Sequence, residues 1–164
     1  MCNSSYLIEN YHGTYQADLF SALKTATQSS LVSTLIVDVE GVEHGFLKSR
    51  LDEQTLYLPI PERWHRGPAR VSIQARQVSI SIGQGHLSSM VNRLTAQVVN
   101  IVEQENDRVR VSLALGKQLL EVLITQWSLK QLGLSEGMTV FADFKLGAVQ
   151  WAGQGGEHIK LLTT

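Results

Sequence analysis

The sequence predicts an all-β protein built as two small barrels in tandem, and three observations carry that prediction. Between Arg108 and Leu115, the residues Val109, Val111, Leu113 and Leu115 alternate strictly with Arg108, Arg110, Ser112 and Ala114, the period of two that belongs to a strand with one buried face. Residues 31–83 and 92–151 then repeat one order of features: strand, polar turn, strand, connector, strand pair. That reads as two related units. Within the first unit the phase slips, because Val71, Ile73 and Ala75 have one parity while Val78, Ile80 and Ile82 have the other. A slip of one residue carries side chains to the opposite face, so a bulge or a bend between sheets is needed at Arg76-Gln77. Barrels of about five strands, of the oligonucleotide/oligosaccharide-binding (OB) kind, fit segments of these lengths.

In chain order, residues 1–30 stand apart. Tyr6, Tyr11 and Tyr15 cluster there, Thr14 can cap a helix from Tyr15 to about Thr27, and Gln28-Ser29-Ser30 reads as a linker. The first barrel is expected over residues 31–86. Leu31 to Val39 is apolar and β-branched, Gly41 to Gly45 is turn-like, and Gln54 to Leu58 is a strand stopped by Pro59 and Pro61. Arg63 to Pro68 reads as a loop before the strand that contains the slip. The second barrel is expected over residues 87–152. It opens on the small and polar run Ser88-Ser89-Met90-Val91-Asn92-Arg93, followed by a strand from Leu94 to Val102 and a turn from Glu103 to Asp107. Strands Arg108–Leu115 and Gln118–Thr125 flank the turn Gly116-Lys117. Gln126 to Leu132 reads as a short helix stopped by Gly133, and a last strand pair runs from Met138 to Trp151. Residues 153–164, which include Gly153-Gln154-Gly155-Gly156, are expected to form a tail.

Composition narrows the function. With 14 Lys plus Arg against 15 Asp plus Glu, the net charge of −1 predicts no general affinity for nucleic acid or anionic membrane. Any anion site must therefore be local. The single cysteine, Cys2, cannot form an internal disulfide, which fits a reducing compartment. No apolar run approaches membrane-spanning length, and Met1-Cys2-Asn3-Ser4-Ser5 lacks the basic start and long apolar core of a signal peptide. The expectation is a cytoplasmic protein without direct membrane insertion.

Catalytic patterns are missing. Gly41 to Ser49 fails as a phosphate-binding loop, because Lys48 does not follow Gly45 directly and the segment lies between strands; it reads as a hairpin turn. His12, His44, His65, His86 and His158 have no metal-ligand spacing. Glu103, Glu105 and Asp107 form a solvated turn, and no G-x-S-x-G elbow is present. The chain is expected to be no enzyme and to hold no metal or cofactor.

The order of residues over about 31–152 resembles the mop/TOBE family, most closely the C-terminal regulatory region of the ATP-binding subunit of molybdate import ABC transporters. The residues that carry the resemblance are Ser88-Ser89-Met90-Val91-Asn92, then Ile124-Thr125-Gln126-Trp127-Ser128 before a short helix ending Leu132-Gly133-Leu134, then Gly137 and Lys145. Upstream, Ala75-Arg76-Gln77-Val78-Ser79-Ile80 resembles the segment preceding this domain, with Gln77 where Asp is usual. Val91 departs from the pattern, since many members have Arg directly before the Asn; Arg93, two residues on, lies on the same strand face.

The resemblance implies a mop-type second barrel, a homodimer, an upstream ATPase domain and through it a membrane permease, and a tetrahedral oxoanion, molybdate or tungstate, as ligand. Such a dianion offers only acceptors, so its site needs hydroxyls, backbone N–H groups and a cation. Taken singly, Thr125 and Ser128 read as a helix cap, Ser89 as a turn serine and Lys145 as a solvent-facing lysine. The resemblance joins Ser89, Thr125, Ser128 and Lys145 into one oxoanion site, with Arg93 as a further candidate. The alternatives are a free-standing molybdate storage or homeostasis protein, and a structural dimerisation module with no ligand. With no phosphate-binding loop, the chain is expected to bind no ATP; stoichiometric ATP uptake in equilibrium dialysis would contradict this account of its content.

Overall fold

In the computed structural model the chain is described for residues 31–84 and 87–152; the helix expected within residues 1–30 and the tail of 153–164 lie outside the described residues. Strands β1 (Val32–Glu43), β2 (Phe46–Leu51) and β3 (Gln54–Leu58) form an antiparallel meander, and β4 (Gly67–Gln74) returns to pair with the first half of β1. The second unit repeats this plan with β6 (Asn92–Gln104), β7 (Arg108–Leu115), β8 (Gln118–Thr125) and β9 (Thr139–Phe144), the helix α1 (Gln126–Leu132) standing between the last two. The fold is all-β with curled sheets, as the alternation predicts.

The long strands β1 and β6 serve two partners in succession. Each pairs over its first half with β4 or β9 and over its second with β2 or β7, and each carries a register shift at the handover, between Val39 and Gly41 and between Val98 and Asn100. A bulge at that point bends the strand round the corner of its barrel. The turn expected over Gly41–Gly45 is therefore shorter: β1 continues to Glu43, and only His44 and Gly45, both at positive φ, make the reversal. Alternation does the rest. Ser33, Leu35, Val37 and Val39 point inward from β1, and Leu94, Ala96 and Val98 from β6.

Two short strands cross between the units. At Ala75–Gln77 the chain makes a 3-10 turn where the phase slip was expected, leaves the first sheet, and enters the second as β5 (Ser79–Ser81), paired with β9. A second 3-10 turn, Leu146–Ala148, carries the chain back into the first sheet as β10 (Val149–Trp151), paired with β4. The sheets thus have the orders β10-β4-β1-β2-β3 and β5-β9-β6-β7-β8. This corrects the strand pair expected over Met138–Trp151, because β9 and β10 lie in different sheets. The reason is a parity change like that at Arg76-Gln77: Val140, Ala142 and Phe144 are buried, then Val149.

Side chains close the seams between the sheets. The first half of β6 has β9 on one edge; on the other, Asn92 binds β3, accepting from the Tyr57 N–H at 2.8 Å and donating to the Tyr57 carbonyl at 2.9 Å. Three residues on, Gln54 accepts from the Thr95 N–H at 2.6 Å and donates to the Thr95 carbonyl at 2.9 Å. The same device recurs between β8 and β1. Gln118 accepts from the Ile36 N–H at 2.7 Å and donates to its carbonyl at 2.8 Å, and Ser33 accepts from the Glu121 N–H at 2.8 Å. A carboxamide carries a donor and an acceptor in the geometry of a peptide group, so it satisfies strand edges that would otherwise stay open. The turns at Asp52 and Gly116 meet closely enough that a Cβ at Gly116 would collide with the Asp52 carboxylate.

Asn92 is 1% exposed, so its loss leaves two backbone groups of Tyr57 without partners in a closed seam. Asn92→Ala should destabilise the protein by roughly 1–3 kcal/mol, read as a lower urea midpoint at unchanged slope. The exposed bracket Gln54→Ala should cost less, because water can replace it.

Candidate functional site

The expected oxoanion residues fall into two pairs. Asn92 faces Phe144 across the β6–β9 ladder. One residue beyond that rung on each strand stand Val91 and Lys145, with Ser89 in the bend just before. Ser89 and Lys145 are exposed, and the Lys145 ammonium makes no hydrogen bond or ion pair with another described residue. Its exposure follows from its place as the last residue before the 3-10 turn that carries the chain between sheets. The second pair stands at the far end of the sheet. Gln104 faces Arg108, and Arg108 faces Thr125, so all 13 residues of β6 separate the rung of Lys145 from that of Thr125.

Thr125 is the N-cap of α1. Its Oγ1 accepts from the Ser128 N–H at 3.0 Å and lies 2.9 Å from the Ser128 Oγ. One of the two hydroxyl protons fills the contact between the oxygens, which leaves the other to be donated outward. The helix start itself has less to offer than its position suggests, since the Gln126 N–H already donates to the Asp107 carbonyl at 3.0 Å. Gly133, at φ 58°, closes the helix by donating to the Leu129 and Lys130 carbonyls.

Arg93 is occupied. Its Nη2 donates to the Gly83 carbonyl at 2.6 Å, its Nε lies 3.7 Å from Asp143 Oδ1, and its guanidinium sits 4.1 Å above the centre of the Phe141 ring. Asp143 also accepts from the Ser81 hydroxyl. This network ties β5, β9 and β6 together and holds Arg93 on the structure. It does not extend the guanidinium toward the position that Val91 leaves without a charge. The role of Asn92 as a seam residue is likewise invisible in the linear motif, because Tyr57 is 35 residues away.

Beside the Asn92 bracket, the Tyr57 hydroxyl donates to Glu43 at 3.0 Å, and Lys48 approaches the same carboxylate at 3.4 Å. The Tyr57 hydrogen bond, with Lys48 adding to it, holds the Glu43 carboxyl below its ordinary value; the same bond raises Tyr57 above its own. Lys48 is thus engaged, unlike Lys145. Among the described residues, no group of three His, Cys, Asp or Glu side chains is placed to hold a metal ion, and no helix is long and apolar enough to cross a membrane.

Comparison with known proteins finds a family match over the second unit. Residues 88–150 match the TOBE domain family, which bears out the mop/TOBE resemblance. The molybdenum import ATP-binding protein ModC of Haemophilus ducreyi is 25% identical over 132 residues, covering 80% of this chain and 37% of that protein. ModC of Hahella chejuensis is 38% identical over 77 residues, 46% of this chain and 22% of that protein. The chain therefore spans well under half the length of these curated relatives. A crystal structure of the cytoplasmic molybdate-binding protein ModG, in a form with molybdate bound, superposes with a TM-score of 0.65 at 21% identity, covering 74% of this chain and 95% of that one. It establishes the fold.

A carboxyl whose value is depressed in the folded state stabilises above its unfolded value and loses that contribution as pH falls through the folded one. Tyr57→Phe removes the largest cause of the Glu43 depression. NMR titration of the Glu43 carboxyl carbon should show its midpoint move up, and an unmoved midpoint would contradict the assignment.

Proposed function

We propose that this chain is an oxoanion-binding regulatory and dimerisation module of a molybdate import ABC transporter ATPase subunit, with a site for molybdate or tungstate completed only when two copies meet. The observation that carries the reading is the separation of the candidate residues. Ser89 and Lys145 stand at one end of the second sheet and Thr125 and Ser128 at the other, so one chain holds two incomplete sets of donors. One set supplies a cation and a hydroxyl; the other supplies a cap with an O–H to give. A dianion needs both. A two-fold homodimer that lays the first set of each protomer against the second set of its partner builds two equivalent sites from one surface pairing.

Apolar groups beside each set support the pairing. Val91 is 38% exposed next to Ser89, and Trp127 is 68% exposed next to Ser128. Large apolar side chains standing in solvent around polar donors suit a surface that a second copy covers. The ModC relatives favour the transporter setting, in which the module joins an ATPase domain and through it a permease, on the cytoplasmic side of the membrane. Binding at a shared site would bias the transporter by favouring the state in which the protomers are paired, since a ligand shifts an equilibrium only by its differential affinity for the two states. The coverage of 95% of the ModG chain favours a second reading, a free-standing molybdate-binding protein with the same site.

Three measurements test the proposal together. Light scattering at micromolar concentration should give a homodimer, and a monomer would remove the site. Calorimetry should show weak molybdate binding that Lys145→Ala abolishes. Val91→Arg adds a forked, charge-assisted contact and should tighten binding by roughly 10-fold, with little change in the thermal midpoint of the unliganded protein because position 91 is solvent-facing. No heat with molybdate, tungstate or sulfate would leave a ligand-free structural module.

A further inference from the structure

We propose that Arg108 supplies the second positive charge of the oxoanion site, from the Thr125 side. The inference rests on the reading of the chain as an oxoanion module and adds to it a residue that the linear motif does not contain. Arg108 and Thr125 are direct partners across the β7–β8 ladder, so their side chains leave the same face of the sheet, with Cβ atoms about 5 Å apart. The cap hydroxyls of Thr125 and Ser128 and the Arg108 guanidinium therefore open onto one patch of surface.

The arginines of the described barrels differ in what they already hold. Arg93 is tied to Gly83, Asp143 and Phe141. Arg50 lies 3.6 Å from both Asp38 and Glu40. Arg110, two residues along β7, lies 3.9 Å from Glu121, whose carboxylate also accepts from Ser112. Arg108 is half-buried, and its guanidinium makes no hydrogen bond or ion pair with another described residue. On the turn before β7, Glu103 accepts from the Gln126 side chain at 2.8 Å, and the Asp107 backbone carbonyl accepts from the Gln126 N–H.

The chemistry fits the gap at Val91. One ammonium at Lys145 leaves a dianion half-neutralised, and the guanidinium expected before Asn92 is absent. Arg108 brings a planar fork that can meet two oxygens of a tetrahedral oxoanion, at the set of donors that otherwise has hydroxyls but no charge. Each half of the site then contributes one cation and at least one hydroxyl.

The test is calorimetric titration of the whole chain with sodium molybdate, for wild type, Arg108→Gln, Arg108→Lys and Lys145→Ala, beside thermal melts with and without the anion. Arg108→Gln should weaken binding roughly 10-fold, with Arg108→Lys between it and wild type. The unliganded midpoint should move little, because the Arg108 guanidinium makes no hydrogen bond or ion pair with another described residue, while the molybdate-induced rise in midpoint should shrink. Binding by Arg108→Gln equal to wild type, with Lys145→Ala inactive, would overturn the role of Arg108 and leave the oxoanion module standing. A wild type that takes up no molybdate would overturn both.

Discussion

Each barrel is completed by a strand that belongs, in sequence, to the other unit. β5 enters the second sheet and β10 the first, and both crossings are made by single 3-10 turns in which the buried parity changes. That exchange makes the two sheets depend on one another. It leaves the edges of β3 and β8 facing the opposite long strand, where Asn92, Gln54, Gln118 and Ser33 stand in for strand partners. A buried backbone group without a partner costs more than a hydrogen bond gains, so these few side chains matter beyond their number.

The same exchange positions the candidate site. Lys145 is exposed because it is the last residue before the chain leaves one sheet for the other. The segment carrying Ser89 and Val91 is anchored by the Asn92 bracket immediately after it and by the hold of Arg93 on Gly83. At the other end, Thr125 is fixed by the β7 ladder and by its own cap. The two sets of donors are thus rigidly built but mutually remote, and with a net charge of −1 the protein has no broad positive field to gather an anion. Affinity has to come from a few local cations, which is why Lys145 and Arg108 carry the electrostatic side of the account.

Much of the fold was legible where turns bracket the pattern. β3, β7, β8 and α1 lie where proline, glycine and the strict alternation put them. β1 and β6 run longer than their apolar cores suggest, because a bulge at Gly41 resembles a turn in one dimension and polar residues continue the strand past Val102. β2 was hidden for the same reason, inside a segment read as a hairpin turn. In the site, the cap was visible in the spacing of Thr125 and Ser128, and the exposure of Lys145 in its parity. The engagement of Arg93 was not, since Gly83 and Asp143 reach it only through the sheet. The neighbourhood of Arg108 and Thr125 could have been found: a two-residue turn at Gly116-Lys117 pairs Leu115 with Gln118 and, counting outward, Arg108 with Thr125.

The central claim is that one oxoanion site draws its donors from two chains, and mixing two inactive variants tests it most directly. Lys145→Ala spoils one set of donors, and Thr125→Val with Ser128→Ala spoils the other. In a two-fold dimer with shared sites, a mixed pair gathers both lesions into one site and leaves the second intact. Molybdate binding measured by calorimetry should therefore be absent from each variant alone and reappear, at wild-type affinity and reduced stoichiometry, after the two are mixed and allowed to exchange subunits. If mixed dimers form, as shown by native mass spectrometry, and binding does not return, the donors do not meet across the dimer and the account is wrong.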